Sequence, residues 1–164
     1  MGTRLTSAFL LGLVALLLVR CGSEPAAPSL TPKPTEIQKV SVAAPAFNAD
    51  SAYAYVAQQV AFGPRVPNTP EHVACGDWLS RELTRHGADV IEQPGLVRAY
   101  DGTILRIRNF IGQFRPKNRE RILLFAHWDT RPFADKDTLR MREPIDGAND
   151  GGSGVGALLE IARL

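Results

Sequence analysis

Apolar side chains recur at helical spacing through the first part of the chain's central region. Between residues 47 and 62 they fall on one face, and Asn48 or Asp50 is a favoured N-cap. A second helical stretch begins after Thr69, another favoured N-cap, and ends at Gly87. Two helices are therefore predicted in this region.

Strand-favouring residues replace the helical pattern after Gly87. β-branched and aromatic side chains are frequent in residues 89–93, 95–100 and 103–114, and Asp101-Gly102 is a typical hairpin turn between the last two. Residues 121–126 (RILLFA) form an uninterrupted apolar run, which is typical of a strand covered on both faces. We therefore expect an α/β fold with a sheet of mixed direction.

Two polar residues with metal-binding chemistry follow the RILLFA run. His127 and Asp129 are two positions apart, so on an extended backbone their side chains project to the same side. Ligands of α/β sheets bind beyond the carboxyl ends of the strands. An imidazole that binds a metal usually donates its other N–H to a carboxylate. The pair therefore predicts a metal site in which one residue binds the metal and the other orients the binding residue.

A glycine-rich turn, residues 147–154, supplies a second carboxylate. The apolar residues after it recur at helical spacing, so Asp150 is expected in the loop just before a helix. Glycines let the backbone approach closely or adopt positive φ beside this carboxylate. The alternative is that Asp150 or Ser153 only caps the helix and that His127 is a partly buried imidazole with satisfied hydrogen bonds.

Three motifs carry a resemblance to a known family. They are GPRVPNT (63–69), AHWDTRPFAD (126–135) and PIDGANDGGSGVGALLEIARL (144–164). They resemble the zinc aminopeptidase-like fold that two-zinc exopeptidases share with the zinc-dependent glutaminyl-peptide cyclotransferases (glutaminyl cyclases). The match extends from about Phe62 to Leu164 and is most similar to the bacterial glutaminyl cyclases. It implies a three-layer fold with a mixed sheet between helices.

The resemblance implies unequal roles for the candidate site residues. Asp150 corresponds to a zinc ligand in both branches of the family. His127 would bind metal only if a second zinc ion is present, and Asp129 would support the site without binding zinc. Trp128 could form an apolar wall of the substrate pocket, or it could simply pack in the core. The resemblance also implies a cis peptide bond after Asp150.

The implied activity is that of a glutaminyl cyclase. Such an enzyme cyclises the N-terminal glutamine of a peptide to pyroglutamate and releases ammonia. Two alternatives remain open: a two-zinc aminopeptidase, and a catalytically inactive binding module tethered by a lipid. In both enzymatic interpretations zinc is the cofactor and the substrates are peptides with a free N-terminus.

The helical pattern stops at Leu164 without a stop signal, and the family's remaining ligands lie further along the chain. We therefore expect a domain truncated at its C-terminus, which begins at residue 47 and is inactive as this fragment alone. Residues 1–21 have the pattern of a signal peptide whose Cys21 resembles a lipoprotein acylation site, although Arg20 departs from that pattern. Residues 22–46, rich in Pro, Ala and Ser, predict a linker.

Composition limits the possible partners and locations. The formal net charge is only +2, and no aromatic platform accompanies the arginines, so nucleic-acid binding is not expected. The N-terminal pattern predicts export, either as a lipoprotein anchored to the membrane through Cys21 or as a periplasmic protein. Cys75 is expected in the core. His72 and His86, at the ends of a predicted helix, are expected to be capping or surface residues and not ligands.

Overall fold

The structure is a computed structural model that describes residues 43–164. The predicted signal peptide, Cys21 and nearly all of the predicted linker lie outside the described residues. Within the described part, no helix is long and apolar enough to cross a membrane.

Two capped helices open the described part. Helix α1 (Ala49–Ala61) begins after Asn48, and helix α2 (Pro70–Arg85) begins after Thr69. Each of these two caps accepts a hydrogen bond from an amide in the first turn of its helix. Gly87 follows α2 with a φ of +84°, the left-handed conformation that often ends helices. Both predicted helices are confirmed.

Strands β1 (Asp89–Arg98) and β2 (Ile104–Gln113) form an antiparallel hairpin. The predicted hairpin is confirmed, but the break expected between residues 93 and 95 is wrong, because β1 runs through Pro94 without interruption. Among the described residues β1 pairs on one side only. Proline fits an edge strand where its missing N–H would face away from the partner.

The core lies where α2, the hairpin and the last helix meet. Its buried members are Cys75, Leu79, Trp128, Val155 and Leu159. The Cys75 side chain is fully buried, and burial raises the pKa of its thiol to about 11. A neutral, inaccessible thiol is a packing residue, so the prediction for Cys75 is confirmed.

Helix α3 (Ser153–Arg163) packs against α1. The two helices cross closely at Gly156, where a Cβ atom would lie 2.7 Å from the Ala52 carbonyl oxygen. The helix predicted after the glycine-rich turn is therefore confirmed.

Glu160 joins the far end of α3 to the start of α1. Its buried carboxylate accepts hydrogen bonds from the Arg163 guanidinium at 2.7 Å and from the Asn48 amide at 2.8 Å. The hydrogen bonds from Arg163, with that from Asn48, lower the pKa of Glu160 to about 2. The contact stabilises the packing of α3 on α1 as long as Glu160 is ionised.

The RILLFA segment is not the buried strand that its sequence predicts. Residues 121–126 have no regular structure, and Ile122, Leu123 and Phe125 are 79–89% exposed. A strand needs a neighbour with which to exchange hydrogen bonds, and among the described residues β1 and β2 pair only with each other. The α/β class is confirmed, but the sheet of the described residues is a two-stranded antiparallel hairpin.

The two histidines of α2 are also more buried than expected. His72 is 3% exposed and stacks on the Trp128 ring, with 4.1 Å between ring centroids. The His86 side chain is 4% exposed, and its Nε2 lies 2.9 Å from the Tyr55 hydroxyl. Burial lowers the pKa of each. The expectation of a capping or surface residue is wrong for His72, because the Trp128 ring covers it. It is confirmed for His86, which is the C-cap residue of α2, although Tyr55 covers its ring.

Candidate metal centre

His127 and Asp150 meet although they come from separate segments of the chain. The His127 Nε2 atom lies 3.1 Å from an Asp150 carboxylate oxygen, and both side chains are about half exposed. On its other side the imidazole Nδ1 lies 3.2 Å from the Asp129 carbonyl oxygen and 3.5 Å from its carboxylate. The three residues that the sequence singled out therefore form one cluster.

The glycine-rich turn brings the Asp150 carboxylate to the imidazole. Gly151 has a φ of +88°, and a Cβ at this position would lie 2.9 Å from His127 Cε1, so a larger residue would collide with the imidazole. Neither Asp150 nor Ser153 caps α3, because the cap residue is Gly152 and no side chain bonds there. The capping alternative is therefore wrong. All described peptide bonds are trans, so the cis bond expected after Asp150 is absent.

Trp128, between the two site residues of the strand-like segment, points away from them into the core. It is 9% exposed, stacks on His72, and its indole N–H donates to the Arg108 carbonyl oxygen at 3.0 Å. These contacts favour the packing interpretation. A role as an apolar pocket wall stays a prediction.

Two arginines belong to this region, and the sequence reasoning gave neither a role. Arg131 Nε lies 3.7 Å from the second Asp150 carboxylate oxygen, and its Nη1 lies 2.5 Å from Asp135. Arg65 is fully buried between the segments that carry His127 and Asp150. Its position in the GPRVPNT motif was the available signal, because that motif matches the resembled family.

Similarity to known proteins is consistent across sequence and structure. Residues 109–164 match the sequence profile of Peptidase family M28. The crystal structure of Tannerella forsythia glutaminyl cyclase is 61% identical and superposes with a TM-score of 0.72. The match covers 73% of this chain and 42% of that one.

The chain is thus similar to peptidase family M28 over residues 109–164. Two further solved structures are also similar to it. A Zn-dependent exopeptidase from Parabacteroides distasonis is 66% identical, with a TM-score of 0.71, and the match covers 74% of this chain and 42% of that one. A Bacteroides thetaiotaomicron glutaminyl cyclase bound to N-acetylhistamine is 60% identical, with a TM-score of 0.72 and the same coverages. The chain thus spans 42% of the length of each of these three proteins. Comparison with curated proteins gives no significant match.

The donor atoms of the site fit the zinc that the similarity to Peptidase family M28 and to a Zn-dependent exopeptidase implies. Imidazole nitrogen and carboxylate oxygen are ordinary zinc ligands, and two such atoms on one tetrahedral ion lie roughly 3.3–3.5 Å apart. The observed separation of 3.1 Å between His127 and Asp150 is close to that value. No group of three or more His, Cys, Asp or Glu side chains in the described part could hold a metal ion. Within the described residues, His127 and Asp150 are therefore two side chains with zinc-compatible donor atoms at zinc-compatible spacing.

Proposed function

We propose that the full-length protein is a zinc-dependent glutaminyl-peptide cyclotransferase. The observation that carries this proposal is the identity of 60–61% to two solved glutaminyl cyclases, in a chain whose Asp150 carboxylate lies 3.1 Å from His127. Asp150 would hold the zinc ion. Asp129, whose carbonyl and carboxylate face the other imidazole nitrogen, would keep the His127 ring turned towards Asp150.

The reaction needs no water and no redox partner. The free α-amine of the substrate attacks the side-chain carbonyl carbon of its own N-terminal glutamine, and a new C–N bond closes the ring. The bond to the side-chain nitrogen breaks, a proton passes from the attacking amine to the leaving group, and ammonia departs. Zinc, when bound, supplies Lewis-acid polarisation of the reacting amide. Asp150 would hold the ion, and Asp129 would fix the ring of His127 beside Asp150.

A two-zinc aminopeptidase is the second candidate. Its support is the 66% identity to a protein named a Zn-dependent exopeptidase. The 3.1 Å contact also suits this interpretation, because His127 and Asp150 would then bind metal together. The chemistry differs in one respect: a peptidase adds water across a peptide bond, whereas a cyclase excludes water from the product. A lipid-tethered binding module without activity is the third candidate.

The predicted location agrees with peptide substrates outside the cytoplasm. The apolar N-terminal segment, Cys21 and the linker to residue 46 support export, with a lipid anchor or a periplasmic location. Labelling of the full-length protein with a radioactive fatty acid tests the anchor, and Cys21→Ser serves as the control. Unlabelled wild-type protein would contradict acylation.

The activity is tested with the full-length protein and a peptide that begins with glutamine. The proposal expects ammonia release with every peptide bond intact. The same peptide with an acetylated N-terminus is the matched control, because its amine cannot attack. Release of free amino acids instead would favour the aminopeptidase. Bound zinc with neither product would contradict both enzymatic candidates.

A further inference from the structure

Arg65 is the most fully enclosed charged group near the site. It lies in the loop between α1 and α2, and none of its side chain is exposed. Burial lowers the pKa of its guanidinium, so placing the charge there costs stability. A buried cation persists where hydrogen bonds from all of its donors compensate. The acceptors of those bonds therefore show what Arg65 organises.

All five acceptors of the Arg65 guanidinium are backbone carbonyl oxygens. The three shortest bonds run to Trp128 at 3.0 Å, Asp146 at 2.8 Å and Gly147 at 2.9 Å. Two longer bonds run to the carbonyl oxygens of Gln59 and Gly63, which are close to Arg65 in the sequence. One planar group thus joins two segments that are otherwise separated along the sequence.

These carbonyls lie next to the site residues on both sides. Trp128 stands between His127 and Asp129 in the sequence. Gly147 begins the turn that carries Asp150, and its carbonyl oxygen also accepts the Gly152 amide at 3.1 Å. Neighbouring atoms leave no room at Gly147 for a side chain, since a Cβ would lie 2.8 Å from Arg65 Nη2.

The backbone of Arg65 adds a further bond to the same segment. Its carbonyl oxygen accepts the Thr130 amide at 3.1 Å, directly after the two site residues. Arg65 therefore makes two hydrogen bonds to residues 127–130 and two more to residues 146 and 147, where the turn begins. Lysine could not replace it, because a compact ammonium group lacks the wide planar fork that reaches several acceptors.

We propose that Arg65 is a positioning residue for the zinc site, which fixes the Asp150 turn against the His127 segment before the metal binds. The inference depends on the proposed function only through the zinc ion. Zinc affinity and metal-free geometry test it without any substrate. Absence of cyclase activity would therefore leave it standing, and its own failure would leave the cyclase proposal standing.

Zinc affinity of the full-length Arg65→Lys variant is the first test, with Glu160→Gln as the matched control. Both substitutions disturb a buried, hydrogen-bonded charge, but the hydrogen bonds of Glu160 within the described residues come from Asn48 and Arg163, away from the site. Residues that orient ligands typically contribute roughly 10–100-fold to metal affinity. We expect a weakening of that size for Arg65→Lys and wild-type affinity for Glu160→Gln. Equal affinities at comparable losses of folding stability would overturn the proposal.

Hydrogen exchange in the wild-type protein decides the matter if Arg65→Lys does not fold. The reporters are the amides of Thr130 and Gly152, which donate to carbonyls of Arg65 and Gly147. Pre-positioning predicts that both amides stay as protected in the metal-free full-length protein as in the zinc-loaded one. Free exchange of both in the metal-free protein would mean that zinc, and not Arg65, orders the site.

Discussion

The helix–hairpin region at residues 70–113 and the site region at residues 121–152 are held together in different ways. In the first, the adjacent residue Thr69 caps α2, and β1 and β2 pair along their whole length. In the second, residues 121–126 pair with no strand of the described part of the chain, and regular structure returns only at the turn. The site nevertheless has a defined geometry.

Buried polar side chains from α1 and the loop after it supply what the site region lacks. Arg65 binds three of its carbonyl oxygens directly. Gln59, also fully buried, donates to the Gly152 carbonyl oxygen at 3.1 Å. Local pairing therefore stabilises one region, whereas a few long-range hydrogen bonds position the other. Substitutions should therefore separate effects on stability from effects on zinc.

Asp150→Ala should give the largest effect, and on function alone. We expect the full-length variant to lose its zinc and its activity to background, because the carboxylate is the ligand common to both enzymatic candidates. Its free energy of unfolding without metal should change by less than about 0.5 kcal/mol, since the side chain is half exposed. Zinc content and chemical denaturation measure the two effects. Wild-type zinc content in this variant would contradict the ligand role.

Leu159→Ala should show the opposite pattern. The residue is 2% exposed in the core, and deleting such a side chain costs about 2–5 kcal/mol of unfolding free energy. Leu139→Ala is the control, because Leu139 is 92% exposed and its loss should change stability by less than about 0.5 kcal/mol. Denaturation of the metal-free proteins measures both. Equal stabilities of the two variants would show that the core is wrongly located.

Gly151→Ala should affect both stability and zinc. The alanine would have to adopt a positive φ, which costs about 1–2 kcal/mol of folding free energy. Its Cβ atom would also collide with the His127 ring. Gly87→Ala is a matched control, since it has a similar φ of +84° but no atom within 4 Å of the added Cβ. Both variants should lose stability, but only Gly151→Ala should weaken zinc binding. Equal zinc affinities in the two would contradict the close approach of His127.

Glu160 should give the smallest effect, which is present at neutral pH and disappears in acid. Its pKa is about 2 in the folded protein and near 4.5 when unperturbed, so the unfolded chain takes up the proton first as pH falls. Its stabilising contribution is therefore complete above pH 4.5 and is lost as the pH falls towards 2. The stability difference between wild type and Glu160→Gln should shrink across that interval. A constant difference would show that the ion pair with Arg163 is not formed.

Local sequence signals predicted the elements whose bonding partners are close in sequence. The caps at Asn48 and Thr69, the hairpin and α3 all follow from patterns within a few residues. The meeting of His127 with Asp150 followed from two motifs considered together. Each of these features is encoded by short-range geometry or by a recognisable motif.

Features that depend on distant partners were missed or wrong. Arginine is normally exposed, so nothing local predicted that Arg65 would be fully enclosed by backbone carbonyls. The stacking of His72 on Trp128 joins residues 56 positions apart. RILLFA has the composition of a buried strand, but a strand forms only beside a neighbour, and composition does not specify one.

Product formation in water enriched in heavy oxygen distinguishes cyclisation from hydrolysis. The full-length protein, loaded with zinc, is incubated with a peptide that begins with glutamine. The masses of the products are then measured by mass spectrometry. Cyclisation predicts a single product that has lost one ammonia and carries no solvent oxygen. A product that carries heavy oxygen would show hydrolysis and would contradict the glutaminyl cyclase proposal.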